Sequence, residues 1–436
     1  MAAREGEPIR QAVEELTCFL GMRLEDPAFL ADPYQCLTPA VRERPVHVLP
    51  SGAVAVLGHH ACSHVLRDGA FGQGAGELYE MTLLGLRARS LLQLDPPGHT
   101  RLRSRIARHF STRRVHGLAE SVSAHSNALL RQCPQGPGDF VPDFAEPLAM
   151  SVISDVLGVA HEHRTAFHRD ARLVVQGLDQ PARSTDDRAI AQARFRFMHY
   201  FHQRIKAWDG TARDSSLNAL LEGPEDGTRD IREVITTFSL LLSAGYDTTV
   251  SLLSHTLAEV SGAPCGRGWA LARDPGRIDA VVEEVLRLHS PAQVAPRAAV
   301  RDTVVEGVKV ARGTIVLPLL AAANRDPAVY DEPDAFRPER HLASGPAAAR
   351  HLAFGAGAHF CLGAALARLT AQHALTVLAD RPPQLTRQPR LYQNNVVVRG
   401  LRSLPVTWPP HHESAPATSS AGAPLLAAPA CPAPAE

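Results

Sequence analysis

The chain has 436 residues, 45% of them apolar, and its 45 basic side chains balance 45 acidic ones, so the formal net charge is zero. This composition supplies a large buried core and leaves no global basic excess for binding nucleic acid. Seven scattered cysteines without a CxxC pair argue against a structural zinc site or a disulfide framework and fit a reducing cytoplasm.

Residues 1–19 open with MAAREGEPIRQAVEEL, which lacks the apolar stretch of a signal peptide or anchor. No later apolar run approaches the ~20 residues needed to span a bilayer, so no membrane association is expected. The first informative segment is DPPGHTRLRSRIARHF, from Asp95. On a helical wheel His99, Leu102, Arg103, Ile106 and Phe110 fall within about 100° of one another. Two basic groups on an apolar stripe need anionic partners, because burying an unpaired charge is costly. The wheel sends Arg101, Arg105 and Arg108 outward together, either as a docking stripe for an acidic protein or as a solvated arginine face.

From about residue 144 the pattern is mostly helical. Residues 228–260 form its longest element, apolar on nearly all sides and therefore central. This helix carries AGYDTT, Ala244 to Thr249, whose glycine and threonines oppose helix propensity. A threonine hydroxyl bonded back to a carbonyl can loosen the ladder and open a groove. On the residues alone, Asp247 and Thr248 could equally be a surface-facing pair. Farther on, Glu284 and Arg287 stand three apart on one helix face and can pair. TVVEGVKVARGTIVL reads as a small hairpin around Glu306-Gly307. Residues 324–350, including FRPERH with Arg340, form a meander of turn formers.

Residues 354–363 read FGAGAHFCLG, and a helix is expected from Leu362 to about Ala379. Cys361 therefore lies at a helix start, where unpaired amides and the dipole should lower a thiol's pKa. Gly355, Gly357 and Gly363 permit tight turns and close approach of a flat, bulky group. That combination suits a metal carrying a large planar ligand. A buried structural cysteine, or a nucleophile with His359 as base, are the other readings. After Trp408 the sequence turns to Pro, Ala, Ser and Gly, which cannot bury enough surface to order itself. The expected organisation is an extension at 1–19, one mainly α domain with minor β over 20–409, and a disordered tail at 410–436.

The ten residues from Phe354 to Gly363 resemble, position by position, the haem-binding signature of the cytochrome P450 family. With HTRLR, AGYDTT, ExxR and FRPERH in the family's order, the resemblance covers roughly residues 20–409 and is nearest to soluble actinomycete members. It implies the single-domain cytochrome P450 fold, with haem b between the long central helix and the helix after the cysteine loop. Cys361 would be the axial thiolate ligand of the iron, with thiolate favouring O–O cleavage. His99, Arg103, Arg297 and His359 would meet the haem propionates, flanked by Phe354 and Gly363. Asp247 and Thr248 would relay protons to bound oxygen, while Glu284, Arg287 and Arg340 would be structural.

The activity implied is that of a cytoplasmic, monomeric bacterial monooxygenase. It would take two electrons from NAD(P)H through a ferredoxin reductase and a ferredoxin, with Arg101, Arg105 and Arg108 as docking candidates. It would hydroxylate or epoxidise a small organic substrate of secondary metabolism, in a pocket lined by Tyr79, Ala244, Val294 and Asn394. The alternatives are other haem oxidations on the same scaffold (oxidative coupling, nitration, peroxide-driven oxidation) or a non-catalytic haem-binding protein.

Overall fold

The computed structural model describes residues 7–23, 26–73, 90–179, 187–207, 231–342, 350–395 and 397–410. Tyr79 and the tail beyond residue 410 lie outside them. In chain order the principal elements are α1 (Glu7–Phe19), β1 (Val46–Val48), β2 (Val54–Val56), β3 (Phe71–Gly72), α2 (Gly98–Ala107), α3 (Ala119–Gln132) and β4 (Gly136–Asp139). Next come α4 (Glu146–Leu157), α5 (Arg164–Asp179), α6 (Asp187–Ala207), α7 (Ile231–Gly262) and α8 (Ile278–His289). Strands β5 (Arg297–Ala299), β6 (Thr303–Val305), β7 (Val308–Val310) and β8 (Ile315–Pro318) precede α9 (Ala364–Asp380). The last strands are β9 (Gln384–Leu385), β10 (Leu391–Tyr392), β11 (Leu401–Ser403) and β12 (Pro405–Trp408). The fold is mainly α with small sheets, as expected.

Helix α7 runs unbroken for 32 residues and buries side chains around its whole circumference, Phe238, Leu242, Val250, Leu253 and Leu257 among them. A helix apolar on all sides has to sit inside the protein, and α3, α4, α8 and α9 contribute to the same core. Gly245 sets the distance to α4: a Cβ there would lie 2.8 Å from Ile153 Cδ1. At its C-terminus α8 stops at Ser290, in left-handed conformation just before Pro291, and Arg297 then opens β5.

The largest sheet has the order β1-β2-β8-β5-β3, with β2 and β8 parallel and the other pairs antiparallel. Helix α1 buries Ala12 and Leu16 against this sheet, in a cluster with Leu37, Leu317 and Val294. The hairpin at Glu306-Gly307 forms as expected: both residues take positive φ, and Val305 pairs with Val308. Among the described residues Cys18, Cys36, Cys62, Cys133 and Cys361 are free thiols. No helix among the described residues is long and apolar enough to cross a membrane.

Candidate functional site

The cysteine loop is folded by its own backbone. The Cys361 N–H donates to the Phe354 carbonyl at 2.9 Å, and Gly355 N–H to Leu352 at 2.8 Å. Gly355 and Gly357 both need positive φ, +65° and +70°. Around Gly357 the expected room for a flat group is absent. A Cβ there would lie 2.2 Å from the Leu66 carbonyl oxygen, so this glycine serves backbone packing. Gly363 does leave space, because a Cβ there would meet nothing closer than Cys361 Sγ at 4.0 Å. A second expectation is also corrected. Burial pushes the Cys361 thiol up, and the Gly363 N–H with the charges of Arg103 and Arg368 only partly oppose it. The helix start alone does not make a thiolate.

Beside this loop basic side chains converge. His99 is buried on α2, and its ring lies 4.2 Å from that of His359. Burial holds the His99 pKa below its usual value, helped by Arg103 and Arg297 and opposed by Asp95. His359 is pushed down to about 3 by burial together with Arg297, His99 and Arg103. Asp95 is engaged elsewhere, accepting the Gln73 N–H at 2.8 Å. Arg103 donates to the Phe360 carbonyl at 2.7 Å, and the buried Arg297 to the Pro296 carbonyl at 2.9 Å. His99 Nε2 is buried with no hydrogen-bond partner. Two arginine cations beside two buried imidazoles, one with an orphaned nitrogen, are the complement of an anion.

The structure also brings Glu284, Arg287 and Arg340 together. Glu284 and Arg287 are fully buried and joined by two bonds of 2.8 and 2.9 Å. Arg340 Nε donates to Glu284 Oε1 at 3.0 Å. Sequence reasoning missed His341, 2.8 Å from Glu284 Oε2, and the Arg337 backbone N–H at 2.9 Å from Oε1, although both lie in FRPERH. Arg287 also donates to the carbonyls of Asn324, Pro333 and Ala335, so one guanidinium organises the meander. Burial works to raise the Glu284 pKa, but hydrogen bonds from Arg287 and His341 win and hold it at about 2.

On α7 the Thr248 hydroxyl donates to the Ala244 carbonyl at 2.5 Å, the back-bond anticipated from sequence, yet the helix continues through it. Ala244 is exposed on this helix, and Asp247 is half-buried beside Thr248. Val294 is buried in a cluster with α1 and sheet residues. Its extended segment alternates faces, and nothing local in sequence says which face α1 covers. Asn394 is exposed, while its neighbours Gln393 and Asn395 line a small pocket with Phe29, Leu30 and Arg399. The arginine stripe is also altered. Arg101 donates to Glu233 at the start of α7, at 2.5 and 3.2 Å, and Arg105 lies 3.8 Å from the same carboxylate. Glu233 therefore cancels part of the charge offered to a partner.

Residues 278–380 match the family model described as Cytochrome P450. Cytochrome P450 107B1 of Saccharopolyspora erythraea is 36% identical over 72% of this chain and 76% of that protein. The cytochrome P450 monooxygenase PikC of Streptomyces venezuelae is 33% identical over 87% of this chain and 92% of its own. The chain belongs to the cytochrome P450 family. It is a cytochrome P450 monooxygenase. A mutant of P450 EryK in complex with erythromycin B superposes with a TM-score of 0.74 at 29% identity, covering 89% of this chain and 99% of that one.

The family implies a haem cofactor, and the residues present fit one. Among the described residues no group of three or more His, Cys, Asp or Glu side chains could hold a metal ion. A single cysteine suffices when the other iron ligands come with the cofactor. The orphaned His99 nitrogen and the basic groups around it suit the carboxylates such a cofactor carries.

Proposed function

We propose that Cys361 is the axial ligand of haem b and that His99, Arg103, Arg297 and His359 take its propionates, with Phe354 and Gly363 flanking the sulfur. The observation that carries this reading is the convergence of four basic groups, one with a buried unpartnered nitrogen, beside a lone cysteine at a helix start. When bound, the haem-thiolate supplies the redox chemistry that splits dioxygen, one oxygen atom going to the substrate and one to water. That reaction consumes two electrons and two protons. The electrons come from NAD(P)H through a ferredoxin reductase and a ferredoxin.

The chain's own contribution is to bind, orient and move protons. Thr248, whose hydroxyl rests on the Ala244 carbonyl, would give its proton to the reacting oxygen once it turns from that carbonyl, and Asp247 would resupply it from the neighbouring position. Ala244, exposed on the same helix, lines the substrate side. A medium-sized natural-product intermediate is the proposed substrate, to be hydroxylated or epoxidised. The likeness to a structure holding erythromycin B supports that class.

Replacing Thr248 with Ala should leave haem and substrate binding intact while diverting electrons into hydrogen peroxide. Asp247→Asn should slow turnover more than it alters coupling. General acid assistance is worth ~10²–10⁴-fold, so a loss below twofold in both variants contradicts the relay.

A further inference from the structure

Behind the cysteine loop lies an ion-paired stack that neither the propionate cradle nor the Glu284 network uses. Glu283 on α8 receives Arg368 of α9 bidentately, Nε to Oε1 at 2.5 Å and Nη2 to Oε2 at 2.8 Å. His351 Nε2 lies 3.1 Å from the same carboxylate. The Arg368 guanidinium sits over the Phe354 ring, 4.5 Å from its centroid, and the His351 ring centroid lies 5.8 Å from that of Phe354. Phe354 is the residue whose carbonyl accepts the Cys361 N–H at 2.9 Å. A chain of direct contacts therefore runs from Glu283 through Arg368 and Phe354 to the backbone of Cys361.

We propose that Glu283 and Arg368 form a charge couple that positions the Cys361 loop and sets the reduction potential of the iron–thiolate centre, each partner pulling it in an opposite direction. This rests on the reading of Cys361 as iron ligand. Addition of one electron lowers the net charge of such a centre by one, so a fixed cation nearby favours the reduced state and a fixed anion disfavours it. Arg368 bears electrostatically on Cys361. Burial works to raise the Glu283 pKa, but Arg368 and His351 hold it far below the usual carboxylate range, so the carboxylate stays charged at neutral pH. Burial keeps the His351 imidazole pKa below its usual value, which leaves Arg368 as the cation of the couple. The guanidinium is rigid enough to grip Glu283 with its fork and cover Phe354 with its face, which a lysine could not do. Both charged groups are about a quarter to a third exposed, so added salt should reduce their influence without abolishing it.

The test uses haem-loaded, substrate-free protein titrated with dithionite in a spectroelectrochemical cell, for wild type, Arg368→Gln, Glu283→Gln and the double variant. The midpoint potential should fall in Arg368→Gln, rise in Glu283→Gln, and return toward wild type in the double. Shifts of the same sign, or none, would overturn the proposal, since a purely structural pair has no reason to give opposite signs. Should Arg368→Gln fail to load haem, Glu283→Gln decides alone: a rise supports the couple, and a fall or no change contradicts it. The carbon monoxide spectrum of reduced wild-type protein separates the two levels. Lack of the thiolate-type Soret band sinks the iron-ligand reading, whereas a normal band with unmoved potentials sinks this inference alone.

Discussion

Glu284 and His99 both sit buried among arginines, yet their surroundings are built on opposite plans. The Glu284 carboxylate accepts from five donors: Arg287 Nε and Nη2, Arg340 Nε, His341 Nε2 and the Arg337 N–H. Around His99 stand the cations of Arg103 and Arg297 and the ring of His359, and its Nε2 finds no partner. A buried polar cluster that satisfies itself is architecture, while one that leaves like charges facing each other is waiting for a ligand. The same residue types thus serve two purposes, and the hydrogen-bond account separates them.

The largest expected effect comes from breaking the satisfied cluster. Glu284→Ala strands Arg287 in the interior and should cost on the order of 3–5 kcal/mol, a large share of total stability. Expression should give little haem-loaded protein, and the melting temperature should drop by many degrees. A wild-type melting curve would show the network to be ornamental.

Acid should act on the same cluster more gently. The Glu284 pKa is depressed to about 2, from an unfolded value near 4.5. The unfolded chain therefore binds the proton first. The stabilisation is full above the unfolded pKa and is lost as pH falls from about 5 toward 2. Denaturant melts across that window should show the loss, and Glu284→Gln should flatten it.

The cradle should respond in the opposite sense. His99→Gln removes a group that no internal anion needs, so the haem-free protein should change by less than about 1 kcal/mol. The haem-loaded form should lose a charge-assisted contact, worth about 1.5–3 kcal/mol, and release haem faster. Transfer of haem to an acceptor protein measures this directly. Equal destabilisation of both forms would mean that the cradle is ordinary core.

Much of this contrast was legible in the sequence, because its signals are short in range. The i, i+3 spacing placed Glu284 beside Arg287, and the helical wheel turned His99, Leu102 and Ile106 inward, where the structure buries all three. The Thr248 back-bond and the Glu306-Gly307 hairpin are equally local. What the sequence could not show depended on distant chain. Glu233, 132 residues beyond Arg101, pairs with the presumed docking stripe, and α1 covers Val294. For Cys361 a helix start can be seen in sequence, but the burial that opposes its effect on the thiol cannot.

The central claim is that Cys361 is the haem ligand, and the carbon monoxide spectrum of the reduced protein tests it most directly. Wild type should show the Soret shift of a thiolate-ligated iron. Cys361→His, purified with haem still bound, should lose that shift. A variant that kept the wild-type band would place the ligand elsewhere and remove the reason for the cradle beside it.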